Sequence, residues 1–157
     1  MQTPQKGNGQ RPGQPLSQAH IGNSTPQGNR GQQNYVRGRV NHVTAEQAQD
    51  ASGVVLGTFL VNSKPATVLF DSGASHSFIT DQFVAKHNLP MCPLKQSLLV
   101  SSPGKELKAS QLCPRVIMNI TGVEFLANLI VLKSSGIDVI LGMDWLAGCD
   151  GVIQCRK

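Results

Sequence analysis

The sequence predicts an all-β fold: a small closed antiparallel β-barrel with one or two short helices, preceded by a disordered arm. Three observations predict it. From Val54 onward, short apolar runs alternate with polar or glycine-containing turns, which is the pattern of strands joined in hairpins. Helical patterns are confined to short segments, as in small β-barrels. The first part of the chain lacks the apolar side chains that would offset the entropy of ordering it.

The predicted arm covers residues 1–45, and the predicted domain covers residues 46–157. All nine acidic residues of the chain lie from Glu46 onward, so the arm carries the net charge of +5. Because these charges are sparse, we interpret the arm as a solvated basic linker rich in Gln, Gly and Pro. The alternative is a weak, salt-sensitive contact between residues 1–45 and nucleic acid.

Turn and cap signals divide the domain into elements. The predicted hairpins join residues 54–61 to 66–70, 95–100 to 107–112, and 115–120 to 124–132. A short helix is predicted over residues 80–87, because Thr80 is suited to cap it and Asp81 suits the positive end of its dipole. A strand over residues 137–141, a helical turn over 143–147 and a final strand over 151–155 complete the prediction.

The cysteines and the lengths of the apolar runs indicate the cellular environment of the protein. Cys92, Cys113, Cys149 and Cys155 lack zinc-site spacing, which predicts reduced thiols in an intracellular protein. We expect a cytoplasmic location, with a particle-associated or nuclear one as alternatives. The sequence starts without a signal-peptide pattern, and no apolar run approaches the roughly twenty residues of a membrane span. We therefore expect no metal, cofactor or membrane partner.

Asp71 is the candidate catalytic residue. It follows the apolar run 67–70, and a carboxylate at the end of a buried strand is unfavourable unless something uses or satisfies it. Asp71-Ser72-Gly73 is also the only Asp-Ser/Thr-Gly triplet in the chain. If Asp71 performs acid–base chemistry between two carboxylates, the second must come from another copy of the protein.

Five segments follow one another at spacings that fit one domain. They are residues 57–70, residues 71–79, a hairpin with its tip near Pro103 and Gly104, residues 125–132, and residues 138–146. Together they resemble the retropepsin-like aspartic proteases of gypsy-type LTR retrotransposon polyproteins, as found in plants. The resemblance covers roughly residues 40–157.

The resemblance implies roles for the loop that begins at Asp71. Asp71 would be the catalytic carboxylate, one in each subunit of a homodimer. Ser72 would tie the two active-site loops together, and Gly73 would let the backbone turn close to the substrate. Ala74 and Ser75 complete this loop. Two carboxylates would share one proton, activate a water molecule and cleave a peptide bond of a polyprotein substrate.

The resemblance also implies a support and a flap. Ile140, Leu141 and Gly142 would pack beneath the active-site loop, followed by a turn at Asp144. Pro103 and Gly104 would form the tip of a flap that closes over the bound peptide.

The chain departs from the retroviral pattern at two linked positions. Retroviral relatives typically read Asp-Thr-Gly-Ala-Asp and, near the C-terminus, Gly-Arg-Asn or Gly-Arg-Asp. Ser75 and Met143 stand where their second Asp and their Arg form an ion pair. Both charges are missing together, so neither is left unpaired.

Other interpretations remain open at this level. The domain could be a catalytically inert module, kept as a dimerising or peptide-binding remnant of the same fold. We interpret Asp144 as a helix-start residue and His76 as a polar loop residue. His42 shows no ligand spacing, and Trp145 is expected to pack in the core or an interface.

Overall fold

A computed structural model describes residues 35–49, 51 and 53–151 of the chain. Its elements are β1 Val36–Arg39, α1 Ala45–Gln49, β2 Val54–Val61, β3 Lys64–Asp71, β4 Phe78–Thr80, α2 Asp81–His87, β5 Cys92–Ser102, β6 Lys105–Ile120, β7 Val123–Leu132, β8 Val139–Leu141 and α3 Met143–Gly148. Strands dominate, and the predicted mostly β class with short helices is confirmed. None of the helices in these ranges has the length and apolar character that a membrane crossing requires.

The strands belong to one sheet in the order β1-β5-β6-β2-β3-β8-β4-β7, and β6 also pairs with β7. The hairpin pairs β2–β3, β5–β6 and β6–β7 are antiparallel, as predicted. The pairs β1–β5, β3–β8 and β4–β7 are parallel. The prediction of a purely antiparallel sheet is therefore wrong, because these three pairs are joined by long crossover connections instead of tight turns.

The hairpin β2–β3 leads directly to Asp71. Its turn residues Asn62 and Ser63 have φ values of 45° and 65°, and two left-handed residues give a turn that matches the twist of the flanking strands. At the open end of the hairpin, Val54 pairs with Asp71. The predicted hairpin is confirmed, and its second strand begins at Lys64 instead of Ala66.

The second and third predicted hairpins share one strand, β6. The pairing of β6 with β7 shifts register between Cys113 and Val116, and Arg115 has a φ of 53°. The amide of Arg115 donates to the Asn128 side chain at 3.0 Å, so the irregular backbone is satisfied. The prediction of two separate strands is wrong here, because this position forms a β-bulge that bends the strand without ending it.

The predicted arm is too long at its C-terminal end. β1 pairs with β5, and Val40 is fully buried while its amide donates to the Ser101 carbonyl at 2.9 Å. The arm prediction is therefore wrong for residues 36–45, because a composition averaged over the arm hides the short apolar alternation that ends at Val40. Residues 1–34 lie outside the described residues, as do residues 152–155 of the predicted final strand.

The predicted helix is confirmed as α2. The hydroxyl of Thr80 accepts a hydrogen bond from the Phe83 amide at 3.3 Å, which is the expected N-cap. The helix ends at His87, and its C-cap Asn88 adopts a left-handed conformation with a φ of 51°. The predicted helical turn after Gly142 is α3.

Two clusters of buried apolar side chains flank β3 and β8. Val68 and Leu141 belong to one cluster, whereas their neighbours Leu69 and Ile140 belong to the other. Because successive side chains of a strand point to opposite faces, these two strands are covered on both sides. The end of β3 is therefore a firmly held position, and it is where Asp71 lies.

Candidate active site

Asp71 is the last residue of β3, and only 1% of its surface is exposed. Its Oδ1 accepts a hydrogen bond from the Gly73 amide at 2.8 Å. Its Oδ2 lies 3.2 Å from Nδ1 of His42. A buried carboxylate is unfavourable without such partners, and hydrogen bonds to an ionised group are among the stronger ones. The carboxylate is thus fixed in position at the start of the loop.

The loop after Asp71 has little room for side chains. A Cβ atom on Gly73 would lie 2.9 Å from Nδ2 of Asn41 and 3.0 Å from Oδ1 of Asp71, so only glycine fits without displacement. The Ala74 amide donates to the Asp71 carbonyl at 3.2 Å, and Ala74 is fully buried. The exposed hydroxyl of Ser72 donates to the Gly53 carbonyl at 3.4 Å.

The strand β8 lies beside β3 and places Gly142 under the loop. Ile140 and Leu141 pair with Leu69 and Phe70 of β3. A Cβ atom on Gly142 would overlap the His76 carbonyl oxygen and lie 2.8 Å from the Ala74 carbonyl oxygen. The chain after β8 therefore packs directly against the active-site loop, and the Met143 amide donates to the Ala74 carbonyl at 2.8 Å.

Asp144 binds the far end of the same loop through Ser77. The buried hydroxyl of Ser77 donates to Oδ1 of Asp144 at 2.6 Å, and its amide donates to Oδ2 at 3.2 Å. The same hydroxyl accepts a hydrogen bond from the Gly142 amide at 3.0 Å. Oδ1 of Asp144 also accepts a hydrogen bond from the Trp145 amide at 2.7 Å, so both carboxylate oxygens have donors within the protein. Its contacts are those of a structural carboxylate at the start of α3.

Ser75 is held by the chain before the domain core. Its hydroxyl accepts a hydrogen bond from the Arg39 amide at 2.8 Å and lies 2.8 Å from Nδ1 of His76. The Ser75 amide donates to the Arg39 carbonyl at 3.0 Å. The loop is therefore fastened by Ser75 to Arg39 and by Ser77 to Asp144.

Pro103 and Gly104 form the exposed turn between β5 and β6. Gly104 has a φ of 78°, a left-handed conformation that favours glycine, and nothing lies within 4 Å of the place a Cβ atom would take. The hydroxyl of Ser102 donates to the Lys105 carbonyl at 3.2 Å and closes this turn. The turn is therefore exposed, with open space around Gly104.

Three residues at the site were not found by sequence reasoning: Arg39, Asn41 and His42. All three lie in the stretch assigned to the arm. The apolar alternation of Val36 and Val40 was the available signal for a strand there. Nothing in the sequence connects His42 to Asp71, because the two are 29 residues apart and no motif spans them. Within the described residues, no group of three or more His, Cys, Asp or Glu is placed to hold a metal ion.

Comparison with solved structures identifies the class of fold. The chain is similar to EIAV protease in complex with the inhibitor HBY-793, with a TM-score of 0.53 and 18% sequence identity, over 68% of this chain and 97% of that one. It is also similar to the retroviral protease-like domain of Ddi1 from Leishmania major, with a TM-score of 0.51 and 14% identity, over 66% of this chain and 83% of that one. The fold is that of a retroviral-type protease.

The model of the retroviral aspartyl protease family matches residues 34–157, which is most of the chain. The chain therefore belongs to the retroviral aspartyl protease family. The match begins just before β1. No curated protein matches the chain.

Proposed function

We propose that the chain is an aspartic endopeptidase that works as a homodimer, with Asp71 of each subunit forming the catalytic pair. The observation that carries the proposal is the Asp71 carboxylate, held at the end of β3 by the Gly73 amide, in a chain of the retroviral aspartyl protease family. The chain contains a single Asp-Ser-Gly triplet, so a pair of such carboxylates requires two copies.

The proposed chemistry is that known from aspartic proteases. Two carboxylates about 3 Å apart cannot both ionise cheaply, so they share one proton. The ionised member takes a proton from a bound water molecule, which attacks the peptide carbonyl carbon. The protonated member then donates its proton to the oxyanion that develops. The flap tip at Pro103 and Gly104 would close over the peptide and exclude bulk water.

We also infer a polyprotein of the gypsy-type retrotransposon class as substrate. The sequence of the active-site loop, together with the paired replacements Ser75 and Met143, supports this assignment. Closure of the sheet into a barrel is part of the same proposal, and the double pairing of β6 with β2 and β7 supports it. An intracellular setting and a nucleic-acid contact through residues 1–45 stay predictions.

Substitution of Asp71 by Asn tests the proposal. The change keeps the size of the side chain and removes its acid–base chemistry, so we expect peptide cleavage at mildly acidic pH to fall by about a hundredfold or more. Asp150→Asn is the matched control, because Asp150 is exposed and Asn accepts its left-handed φ of 50°. Equal cleavage by the Asp71→Asn protein and the wild type would refute the proposal.

A binding measurement separates the inert alternative. If the wild-type protein binds peptides but never cleaves them, and pepstatin-like inhibitors do not compete, the domain is a non-catalytic peptide-binding module. If binding and cleavage are both blocked by such an inhibitor, the endopeptidase is supported.

A further inference from the structure

The Asp71 carboxylate is covered by its own chain. Only 2% of its side chain is exposed, and the His42 ring that contacts Oδ2 at 3.2 Å is itself 21% exposed. The contact is an ion pair when the imidazole is protonated, and a hydrogen bond when neutral His42 carries its proton on Nδ1. Both carboxylate oxygens of Asp71 therefore already have partners within its own chain, the Gly73 amide at Oδ1 and the His42 ring at Oδ2.

The covering residues are fastened at both ends. We call residues 39–49 the cap segment. At its start, Arg39 exchanges hydrogen bonds with Ser75, and its Nε donates to the Gly73 carbonyl at 3.4 Å. At its end, α1 packs with Ala48 only 3% exposed.

The cap segment also has a defined internal structure. Oε1 of Gln47 accepts hydrogen bonds from the amides of Val43 and Thr44 at 2.9 and 3.3 Å, and the Gln47 amide donates to the Thr44 hydroxyl at 3.3 Å. This is the reciprocal arrangement of a capping box. The segment is therefore a folded element laid over the site.

We propose that the cap segment is an intramolecular lock that keeps the monomer latent and must leave Asp71 before two subunits assemble an active site. The inference rests on the proposed function and adds a means of regulating it. His42 and the partner's carboxylate compete for the same face of Asp71. The apparent association constant of the dimer is then its intrinsic value multiplied by the square of the fraction of subunits whose cap segment is open, because both subunits must be open.

His42→Ala removes the contact between the cap segment and Oδ2 of Asp71 and leaves the Asp71 side chain itself unchanged. We expect the dimer fraction, measured by sedimentation equilibrium, and the peptide cleavage rate to rise. The dimerisation constant should become about a hundredfold tighter, because each of the two subunits loses one hydrogen bond to a charged group and each loss contributes about tenfold. Gln49→Ala is the matched control, because Gln49 lies on the exposed face of α1, and we expect it to leave both quantities unchanged.

A disulfide staple tests the lock in the opposite direction. A Cβ atom on Gly136 would lie 3.8 Å from Cβ of Thr44, which is the usual separation across a disulfide. Thr44→Cys with Gly136→Cys, in a background with Cys149→Ser and Cys155→Ser, would fasten the cap segment to the loop before β8. The backbone strain of a side chain at Gly136, with its φ of 110°, is present in both redox states and cancels in their comparison.

We expect the oxidised staple to be monomeric and inactive, and the same protein after addition of a reductant to regain dimer and cleavage. If the oxidised protein dimerises and cleaves peptides as well as the reduced one, the lock is refuted and the proposed function stands. If no form cleaves peptide but the dimer fraction still follows the staple and His42→Ala, the lock stands and the proposed function fails. If the dimer fraction follows neither change, the lock is refuted.

Discussion

At the level of single residues, the loop after Asp71 depends on positions where only glycine fits. Gly142 is such a position, because two carbonyl oxygens of the loop, those of Ala74 and His76, occupy the space a Cβ atom would need. Its φ of −97° is ordinary, so glycine is required here by close approach and not by backbone conformation.

Gly142→Ala should destabilise the fold by about 3 kcal/mol, because the added methyl group must push the loop backbone away. Urea denaturation measures the free energy of unfolding. Gly148→Ala is the control, since nothing lies within 4 Å of its Cβ position and alanine favours the helix. Equal stability of the Gly142→Ala and Gly148→Ala proteins would contradict the tight packing described for the loop.

We expect the thiols to differ in reactivity because they differ in burial. Burial, and to a smaller extent the neighbouring Cys92, raises the pKa of the Cys113 thiol. Cys149 is exposed, and all three described thiols are free. Because the thiolate is the reactive form, we expect iodoacetamide at neutral pH to alkylate Cys149 long before Cys113, as read by mass spectrometry of the folded protein.

Because the pKa of the Cys113 thiol is raised in the folded protein, the free energy of unfolding should depend on pH. The folded state favours the neutral thiol of Cys113. The stabilisation that this gives is fully present below the ordinary thiol pKa of about 8.5, and it is lost as pH rises through the raised pKa of the folded protein. Early alkylation of Cys113, or stability of the wild type that increases from pH 7 to pH 9.5 relative to Cys113→Ala, would contradict this assignment.

At the scale of elements, an aromatic cluster joins α3 to the strands behind the site. The ring of Trp145 lies 6.1 Å from that of Phe70 and 5.5 Å from that of Phe125. Its buried Nε1 has no hydrogen-bond partner among the described residues. The expected packing role of Trp145 is therefore met by ring contacts alone, which hold α3, and with it Asp144, against β3 and β7.

Trp145→Phe should cost less than about 1.5 kcal/mol, because it keeps the ring contacts and removes an N–H that has no partner. Trp145→Ala should cost about 3 kcal/mol through loss of the buried ring. Thermal unfolding of both variants measures the difference. If Trp145→Phe destabilises the protein as much as Trp145→Ala, the indole N–H must form a hydrogen bond in addition to the ring contacts.

The elements that sequence predicted well are those with local signals. The turn at Asn62 and Ser63, the N-cap at Thr80 and the glycine-containing loop after Asp71 all lie within a few residues of the structure they specify. The parallel pairs were not predicted, because β3 and β8 are separated by most of the domain and nothing local sets their register. The contact of Ser77 with Asp144 spans 67 residues and is hidden for the same reason.

β1 and the His42 contact were missed for a different reason. The composition of residues 1–45 is dominated by its polar part, which conceals the four residues of β1. The chain that follows β1 then reaches the end of β3, where His42 contacts Asp71. The covering of the site is thus a consequence of topology that the side chains near Asp71 do not reveal.

At the level of the assembled protein, the proposed chemistry requires two copies of the chain. The single Asp-Ser-Gly loop supplies one carboxylate, and the family supplies the expectation of a pair. Cleavage per mole of protein should therefore rise with protein concentration and level off once the protein is dimeric. Activity that is strictly proportional to concentration, in a sample that sediments as a monomer, would show that one chain suffices.

The most direct test is a crystal structure of the protein with a pepstatin-like peptide inhibitor. We expect two subunits related by a two-fold axis, with oxygen atoms of the two Asp71 carboxylates about 3 Å apart and both facing the inhibitor. An inhibitor bound to a single chain, or a dimer whose Asp71 side chains stay far apart, would contradict the central claim.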